Sequence, residues 1–394
     1  SKECIAGWAA KQGEDWIPVR DAILKNMYID DAVPSFKTYE QTLQVRDGMV
    51  TAFAQLGFPF KDPVIVGPGA PKLDREPESL LGYLYDFKED TLSIKWKINL
   101  SVKRRSARTL PDLIHDSEVE NLVLTPGSLL TILASQYDPL GLASCFTSRG
   151  KQLLSRIAKK KTPDATKSWW KEPLAAEDQE AGLKYVKDIL SLVRDPVIFP
   201  RAACKEGYSL RKLYAFSDAS STCAHMVLYG LYEGPEGQKV TSLLGGKSAI
   251  LHRTLPQHEL VGLLAANRLV HGLLRAWEPK DLEEVVIFSD STCSLDQMKH
   301  AYTAKNVFVR NRISQIHKYH TKLTVRQKYY HLPSEHMTPA DIGTRDECTP
   351  EFLRSQVWLK GPEFLKDVDL FPEAKLVHTV EANQMPQIFE EVEA

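Results

Sequence analysis

The chain has no Cys-x-x-Cys pair. Its six cysteines, Cys4, Cys145, Cys204, Cys223, Cys293 and Cys348, are scattered through 394 residues. That spacing argues against a zinc knuckle or a disulfide framework and for a reducing compartment. No apolar run approaches the roughly 20 residues needed to cross a bilayer. The N-terminus, Ser1-Lys2-Glu3-Cys4, lacks the basic-then-apolar pattern of a signal peptide. The expectation is an intracellular protein without a membrane partner. Net charge is also lacking: 50 Lys and Arg oppose 51 Asp and Glu, leaving −1. The molecule as a whole is therefore no polycation, and there is no internal repeat.

What is present is an ordinary globular composition, 43% hydrophobic and 26% charged, in a chain long enough for two or three domains. The basic residues are clustered although the total is balanced. One group is Lys103, Arg104, Arg105 and Arg108, and another is Arg156, Lys159, Lys160 and Lys161. A third runs through Lys299, Lys305, Arg310, Arg312, Lys318, Lys322, Arg326 and Lys328. Each group can follow a phosphate backbone, and each can equally be a solvated face.

Composition divides the chain. Residues 1 to about 66 mix helix-like and strand-like pieces around Met27-Tyr28-Ile29-Asp30-Asp31, and a Pro/Gly-rich break follows from Pro63 to Pro71. Strand-like runs from Leu80 to Asp86 and from Leu92 to Ile98 then give way to helical segments, Gly127 to Ala134 and Thr147 to Lys159. After a second break at Pro196 to Pro200, the pattern reads strand, strand, strand, helix, strand, helix, helix, strand, helix. Its long helix is expected over Pro256 to Ala276, and Thr338 is expected to cap the last one. The acidic tail beyond about 349 is expected to fray.

Two strands of this last unit end in nearly the same words, Phe216-Ser217-Asp218-Ala219-Ser220 and Phe288-Ser289-Asp290-Ser291-Thr292. Carboxylates at strand ends can converge on one crevice, although a single Ser-Asp after a strand is usually a turn or a helix cap. On the long helix, Glu259 shares a face with Gly262, Leu263 and Ala266. Small and apolar neighbours mark a face packed on a sheet, where a glutamate is costly unless a cation compensates its charge. The alternative is a first-turn glutamate favoured by the helix dipole. Asp341, in Pro339-Ala340-Asp341, is a fourth acid. Four such acids can hold two hard cations about 4 Å apart, one activating water and the other stabilising a leaving 3′-oxygen. His336, just before Asp341, is a candidate for moving protons, with a plain loop histidine as the alternative.

The order strand-Asp, helix-Glu, strand-Asp, helix-Asp resembles the ribonuclease H fold. The chain is similar, over roughly residues 15 to 365, to the polymerase and ribonuclease H part of BEL/Pao-type long-terminal-repeat retrotransposon polyproteins. The markers are Tyr28-Ile29-Asp30-Asp31, Leu56-Gly57-Phe58, Leu81-Gly82 with Asp90-Thr91-Leu92, and Tyr137-Asp138-Pro139-Leu140-Gly141-Leu142. They continue through the two Phe-Ser-Asp strings, Leu255-Pro256-Gln257-His258-Glu259-Leu260, Pro339-Ala340-Asp341 with Thr344-Arg345, and Trp358-Leu359-Lys360-Gly361-Pro362.

The resemblance implies an α/β and α+β multidomain chain. Residues 1–66 would be the C-terminal part of a reverse-transcriptase palm, and 67–206 a thumb/connection-like region. Residues 207–348 would form a ribonuclease H-like domain with a mixed five-stranded sheet and flanking helices. Residues 349–394 would be a linker toward an absent integrase. It implies Asp218, Glu259, Asp290 and Asp341 as ligands of two Mg2+ or Mn2+ ions. Tyr28, Asp30 and Asp31 would be a polymerase-motif remnant, and Arg149, Lys151 and Arg156, with Arg310 and Arg312 of the third basic group, would hold the nucleic acid. Only 27 residues precede Tyr28, so no self-sufficient polymerase activity is expected.

Two departures stand out. Thr338 replaces the usual Asn before Pro-Ala-Asp, and Asp346 replaces the usual Gly after Thr-Arg, adding negative charge near the site. The expected function is metal-dependent endonucleolytic cleavage of the RNA strand of RNA–DNA hybrids, alongside other parts of a Pol polyprotein. The alternative is a catalytically inactive or domesticated nucleic-acid-binding remnant. No Asp-Thr-Gly or Asp-Ser-Gly loop is present, which argues against the aspartic peptidase such polyproteins also carry.

Overall fold

The computed structural model describes residues 2–28, 31–58, 61–67, 69–71, 73–100, 116–161, 167–251, 255–277, 279–299 and 305–382. The chain divides into two compact units, Ser1–Ser93 and Ile94–Ala394. Among the described residues no helix is long and apolar enough to cross a membrane.

In the first unit, helices α1 (Lys2–Ala10), α2 (Ile17–Asn26) and α3 (Tyr39–Gln55) bury Ile5, Val19, Ile23, Met49 and Phe53 against one another. Between α2 and α3 lies a two-residue ladder, β1 (Met27–Tyr28) and β2 (Asp31–Ala32), with Tyr28 opposite Asp31. Next come β3 (Glu78–Leu80), β4 (Tyr83–Asp86) and β5 (Thr91–Ile94). Leu81 and Gly82, both at positive φ, make the tight turn that joins β3 to its antiparallel partner β4.

The second unit opens with helices α4 (Asp116–Glu120), α5 (Pro126–Ser135), α6 (Ser144–Lys159) and α7 (Ala176–Arg194), then strand β6 (Ile198–Pro200). A reciprocal capping box starts α5: the Thr125 side chain accepts from Ser128 N while the Ser128 hydroxyl accepts from Thr125 N. The Asp138 carboxylate accepts from the backbone N–H groups of Leu142 and Ala143 at 2.9 and 2.8 Å, which orders the entry to α6.

The sheet follows: β7 (Ser209–Ala219), β8 (Cys223–Glu233), β9 (Lys239–Ile250), then helix α8 (Leu255–Ala276) and strand β10 (Glu284–Ser289). Helices α9 (Thr292–Lys299) and α10 (Val307–His320) lead to β11 (Arg326–His331). Then come α11 (Thr338–Thr344), α12 (Pro350–Arg354), α13 (Gln356–Lys360) and β12 (Lys375–Val380). Spatial order is β12-β11-β10-β7-β8-β9. Strands β7, β8 and β9 form an antiparallel meander, β10 and β11 run parallel to β7, and β12 is antiparallel to β11. This is the ribonuclease H-like arrangement the resemblance implied, with a sixth strand added at the edge.

Both faces of the sheet are covered, so β8 and β10 are buried almost throughout and β7 is buried from Leu213 onward. Alternate residues of β8 go opposite ways. Ala224, Met226 and Leu228 join a core with Leu260, Leu263 and Leu264 of α8. His225 and Tyr229 hydrogen-bond instead to the carbonyls of Ala340 and Trp358.

Two stretches pack across the expected boundaries. No break in packing falls at residue 206, because α6, expected in the thumb/connection stretch, packs on β8, β9 and α11. The segment 349–394, expected to be a linker, is largely built into the same body through residue 380. Leu353, Trp358 and Leu365 are fully buried, the Trp358 Nε1–H donates to the Leu142 carbonyl at 2.8 Å, and β12 extends the sheet.

Candidate active site

The site begins with strand register. Phe288 lies directly beside Phe216 in the parallel β7–β10 pair, so the two Phe-Ser-Asp strings run side by side. They leave the sheet at one end, which brings Asp218 and Asp290 together across 72 residues of chain. Periodicity cannot supply that register; the hydrogen-bond ladder does.

Helix α8 supplies the third acid. A Cβ on Gly262 would stand 2.9 Å from Ser217 Oγ, and Leu263 and Ala266 are fully buried. The helix therefore lies against the end of β7, and Glu259, about one turn earlier, is carried beside Asp218. Carboxylate oxygens of Asp218, Glu259 and Asp290 all lie within 4.8 Å of one another.

Three like charges so close cannot all ionise cheaply. Burial, then the charges of Asp218 and Asp290, push the Glu259 carboxyl up to about 8. Burial also raises Asp218, which is 7% exposed. Asp290 and Asp341 add to that rise and a hydrogen bond from Thr344 opposes it. Clustered hard oxygen donors with uncompensated charge suit a divalent cation. The same group would be a poor choice for a purely structural network.

Asp341 lies in the first turn of α11, outside the group of three. Its charge reaches Asp218, and its Oδ1 accepts from Arg345 Nε at 2.8 Å. Burial raises its pKa, and Arg345 opposes the rise. Two further hydroxyls touch the acids: Thr344 Oγ1 donates to Asp218 Oδ2 at 2.6 Å, and Ser334 Oγ donates to Asp290 Oδ2 at 2.7 Å. Sequence reasoning missed both roles. The available signal for Thr344 was its place one helical turn after Asp341. Ser334 gave none. His336 is half-buried in the 3-10 turn begun by Ser334.

Several expectations change. Thr338 does not cap α11: the helix starts at Thr338, Met337 occupies the cap position, and no side-chain cap bond forms. The added charge of Asp346 is paired with Arg156 of α6. Arg149, expected to hold nucleic acid, is buried. Its guanidinium pairs with Asp188 at 2.6 Å, donates to the Cys348 carbonyl at 2.7 Å, and lies 5.5 and 5.3 Å from the Phe146 and Tyr185 ring centroids. Half-helical amphipathicity could not reveal this, because the first half of α6 is buried on all sides.

Lys151 remains exposed and donates to Ser248 Oγ at 3.1 Å. Arg310 is exposed on α10, and Arg312 stacks on Phe308 at 3.9 Å. In the first unit Tyr28 is exposed and Asp31 half-buried, while Asp30 lies outside the described residues, as do Lys103, Arg104, Arg105 and Arg108.

Residues 125–291 match the family model of the Pao retrotransposon-like RNaseH-like domain. The match runs from the capping residue of α5 just past Asp290, so it holds the three clustered acids and not Asp341. None of the curated proteins matches the chain. Among solved structures, RNase H1 of the archaeon Halobacterium salinarum NRC-1 is 14% identical, covering 33% of this chain and 92% of its own, with a TM-score of 0.22. LC11-RNase H1, solved with an RNA/DNA hybrid, is 18% identical, covering 33% and 90%, with a TM-score of 0.25. The foamy viral protease-reverse transcriptase, solved with double-stranded DNA, is 13% identical. That alignment covers 75% of this chain and 44% of the viral one, with a TM-score of 0.35. The sheet order, the α6 packing and the family match converge: residues 125–291 carry the Pao retrotransposon-like RNase H-like domain.

Proposed function

We propose that the chain is a metal-dependent endonuclease that cuts the RNA strand of RNA–DNA hybrids. The observation that carries this reading is the meeting of Asp218, Glu259 and Asp290 within 4.8 Å, with Glu259 pushed up to about 8. Asp218, Glu259 and Asp290, with Asp341 alongside, would hold Mg2+ or Mn2+, two ions in the full arrangement. Bound there, the metal would supply a nucleophilic water and charge stabilisation for in-line phosphodiester hydrolysis. The chain's own share is positioning. The two strand ends fix Asp218 and Asp290, α8 fixes Glu259, and hydroxyls of Ser334 and Thr344 hold carboxylate oxygens in place. His336, two residues after Ser334 in the same 3-10 turn, is our candidate for exchanging protons at the site. Lys151, Arg310 and Arg312 are the cations we assign to the phosphate backbone.

On the same reading residues 1–66 are the C-terminal part of a polymerase palm, with Tyr28 and Asp31 on its hairpin, and the whole chain works beside other parts of a Pol polyprotein.

The test is cleavage of an end-labelled RNA–DNA hybrid in millimolar Mg2+ by the parent, Asp218→Asn and Asp290→Asn. Activity in the parent and a loss of about a hundredfold or more in each variant is expected. Equal cleavage by all three sinks the proposal. Tight hybrid binding by a parent that does not cut would select the binding-remnant reading instead.

A further inference from the structure

Three of the four acids are each gripped by a donor from one short stretch of chain, Ser334 to Arg345. Ser334 holds Asp290, Thr344 holds Asp218, and Arg345 holds Asp341. Of these donors only Thr344 is buried, at 5% exposure. Its Oγ1 stands 2.6 Å from Asp218 Oδ2 on β7 and 2.9 Å from the Asp341 carbonyl of its own helix. A hydroxyl has one proton, and the shorter, charge-assisted contact takes it. The helix bearing the fourth acid is thereby tied to the strand end bearing the first.

The rest of α11 is equally fixed. The Gly343 carbonyl accepts from Ser148 Oγ at 2.6 Å and Gln152 Nε2 at 3.2 Å of α6, and the Ala340 carbonyl accepts from His225. Thr344 is therefore a rigidly placed donor rather than a mobile surface hydroxyl.

We infer that Thr344 is a positioning residue for the metal centre. Its hydroxyl selects the Asp218 rotamer and engages one carboxylate oxygen, so that Asp218 meets a cation preorganised beside Glu259 and Asp290. The inference rests on the metal-site reading above and adds a residue that the clustering of acids does not reveal. Partners in this position typically change metal affinity by about 10–100-fold when removed.

The experiment is calorimetric titration of the full chain with Mn2+, comparing the parent, Thr344→Val, Thr344→Ser and Asp218→Asn, each checked for an unchanged circular dichroism spectrum. The near-isosteric Thr344→Val removes only the donor and should weaken Mn2+ binding about 10–100-fold. Thr344→Ser should restore it to within about threefold, which a role in packing alone would not do. The Mg2+ concentration for half-maximal hybrid cleavage should rise in parallel in Thr344→Val. If the valine variant does not fold, Thr344→Ala, which adds no bulk, gives the same comparison. A parent that binds Mn2+ while Thr344→Val binds it equally well overturns this inference alone. A parent that binds no better than Asp218→Asn overturns the metal site itself, and the inference with it.

Discussion

The His225 Nδ1–H donates to the Ala340 carbonyl at 3.1 Å, so a residue of the sheet fixes the residue immediately before Asp341. A carbonyl can only accept, which sets the tautomer: Nε2 carries the lone pair and accepts from Ser144 Oγ at 2.9 Å. One neutral imidazole thus joins β8, α6 and α11.

That neutrality makes stability depend on pH. Burial holds His225 down to about 4, His317 to about 4 and His320 to about 3, against an ordinary value of 6.5. Between those values the unfolded chain binds more protons than the folded one. The stabilisation is complete above about 6.5 and is lost as pH falls toward 4. Urea unfolding of the second unit should show a midpoint that drops between pH 7 and 5, by an amount corresponding to roughly a few kcal/mol. A midpoint that stays flat across that range would contradict buried neutral histidines.

Glu259 acts in the opposite sense. Its folded pKa of about 8 lies above the ordinary 4.5, so ionisation opposes folding progressively as pH rises through that interval. In EDTA at pH 8, Glu259→Gln should melt higher than the parent, by about 1–3 kcal/mol in free energy. With Mn2+ present the order should reverse, because only the parent gains binding energy. A glutamine variant that is less stable in both conditions would show that the carboxylate is not under electrostatic strain.

Arg149, expected to hold nucleic acid, is buried and paired with Asp188. Removing Arg149 leaves the half-buried Asp188 without its partner and loses the packing on two rings, so Arg149→Met should cost about 2–4 kcal/mol in urea unfolding. Hybrid affinity, measured well below the unfolding midpoint, should fall no more than about twofold, since the guanidinium faces Asp188 and two aromatic rings rather than solvent. Unchanged stability with weakened binding would return Arg149 to the nucleic-acid surface.

Gly343 is the tightest point of the α11 contact. A methyl there would overlap the His225 ring, which is fully buried and has no room to withdraw. Gly343→Ala should therefore destabilise the second unit by about 1–3 kcal/mol. It should also weaken Mn2+ binding by displacing Thr344 next to it. A variant with parental melting temperature and metal affinity would show that α11 is free to move.

Much of this protein was legible from residue order. Hydrophobic runs and turn residues gave strand, strand, strand, helix, strand, helix, helix, strand, helix after residue 207, because a short apolar run between turn residues marks a buried strand and a helical period marks one buried face. Glu259 was legible for a related reason: a charge on a face otherwise small and apolar is an anomaly that needs a partner. What remained hidden depends on contacts between distant segments. The burial of Arg149 needs Asp188, Tyr185 and Cys348 to close around α6. The docking of Trp358 needs the Leu142 carbonyl, and the sixth strand needs the free edge of β11. The donor role of Thr344 needs α11 set against β7.

The sequence alone determined which side chains carry charge and which local segments coil or extend, since those follow from composition and period. Only the tertiary structure decided which acids share a cleft and which arginine is removed from solvent. Strand register and helix docking are set by long-range hydrogen bonds and packing, and no local window of sequence contains both partners.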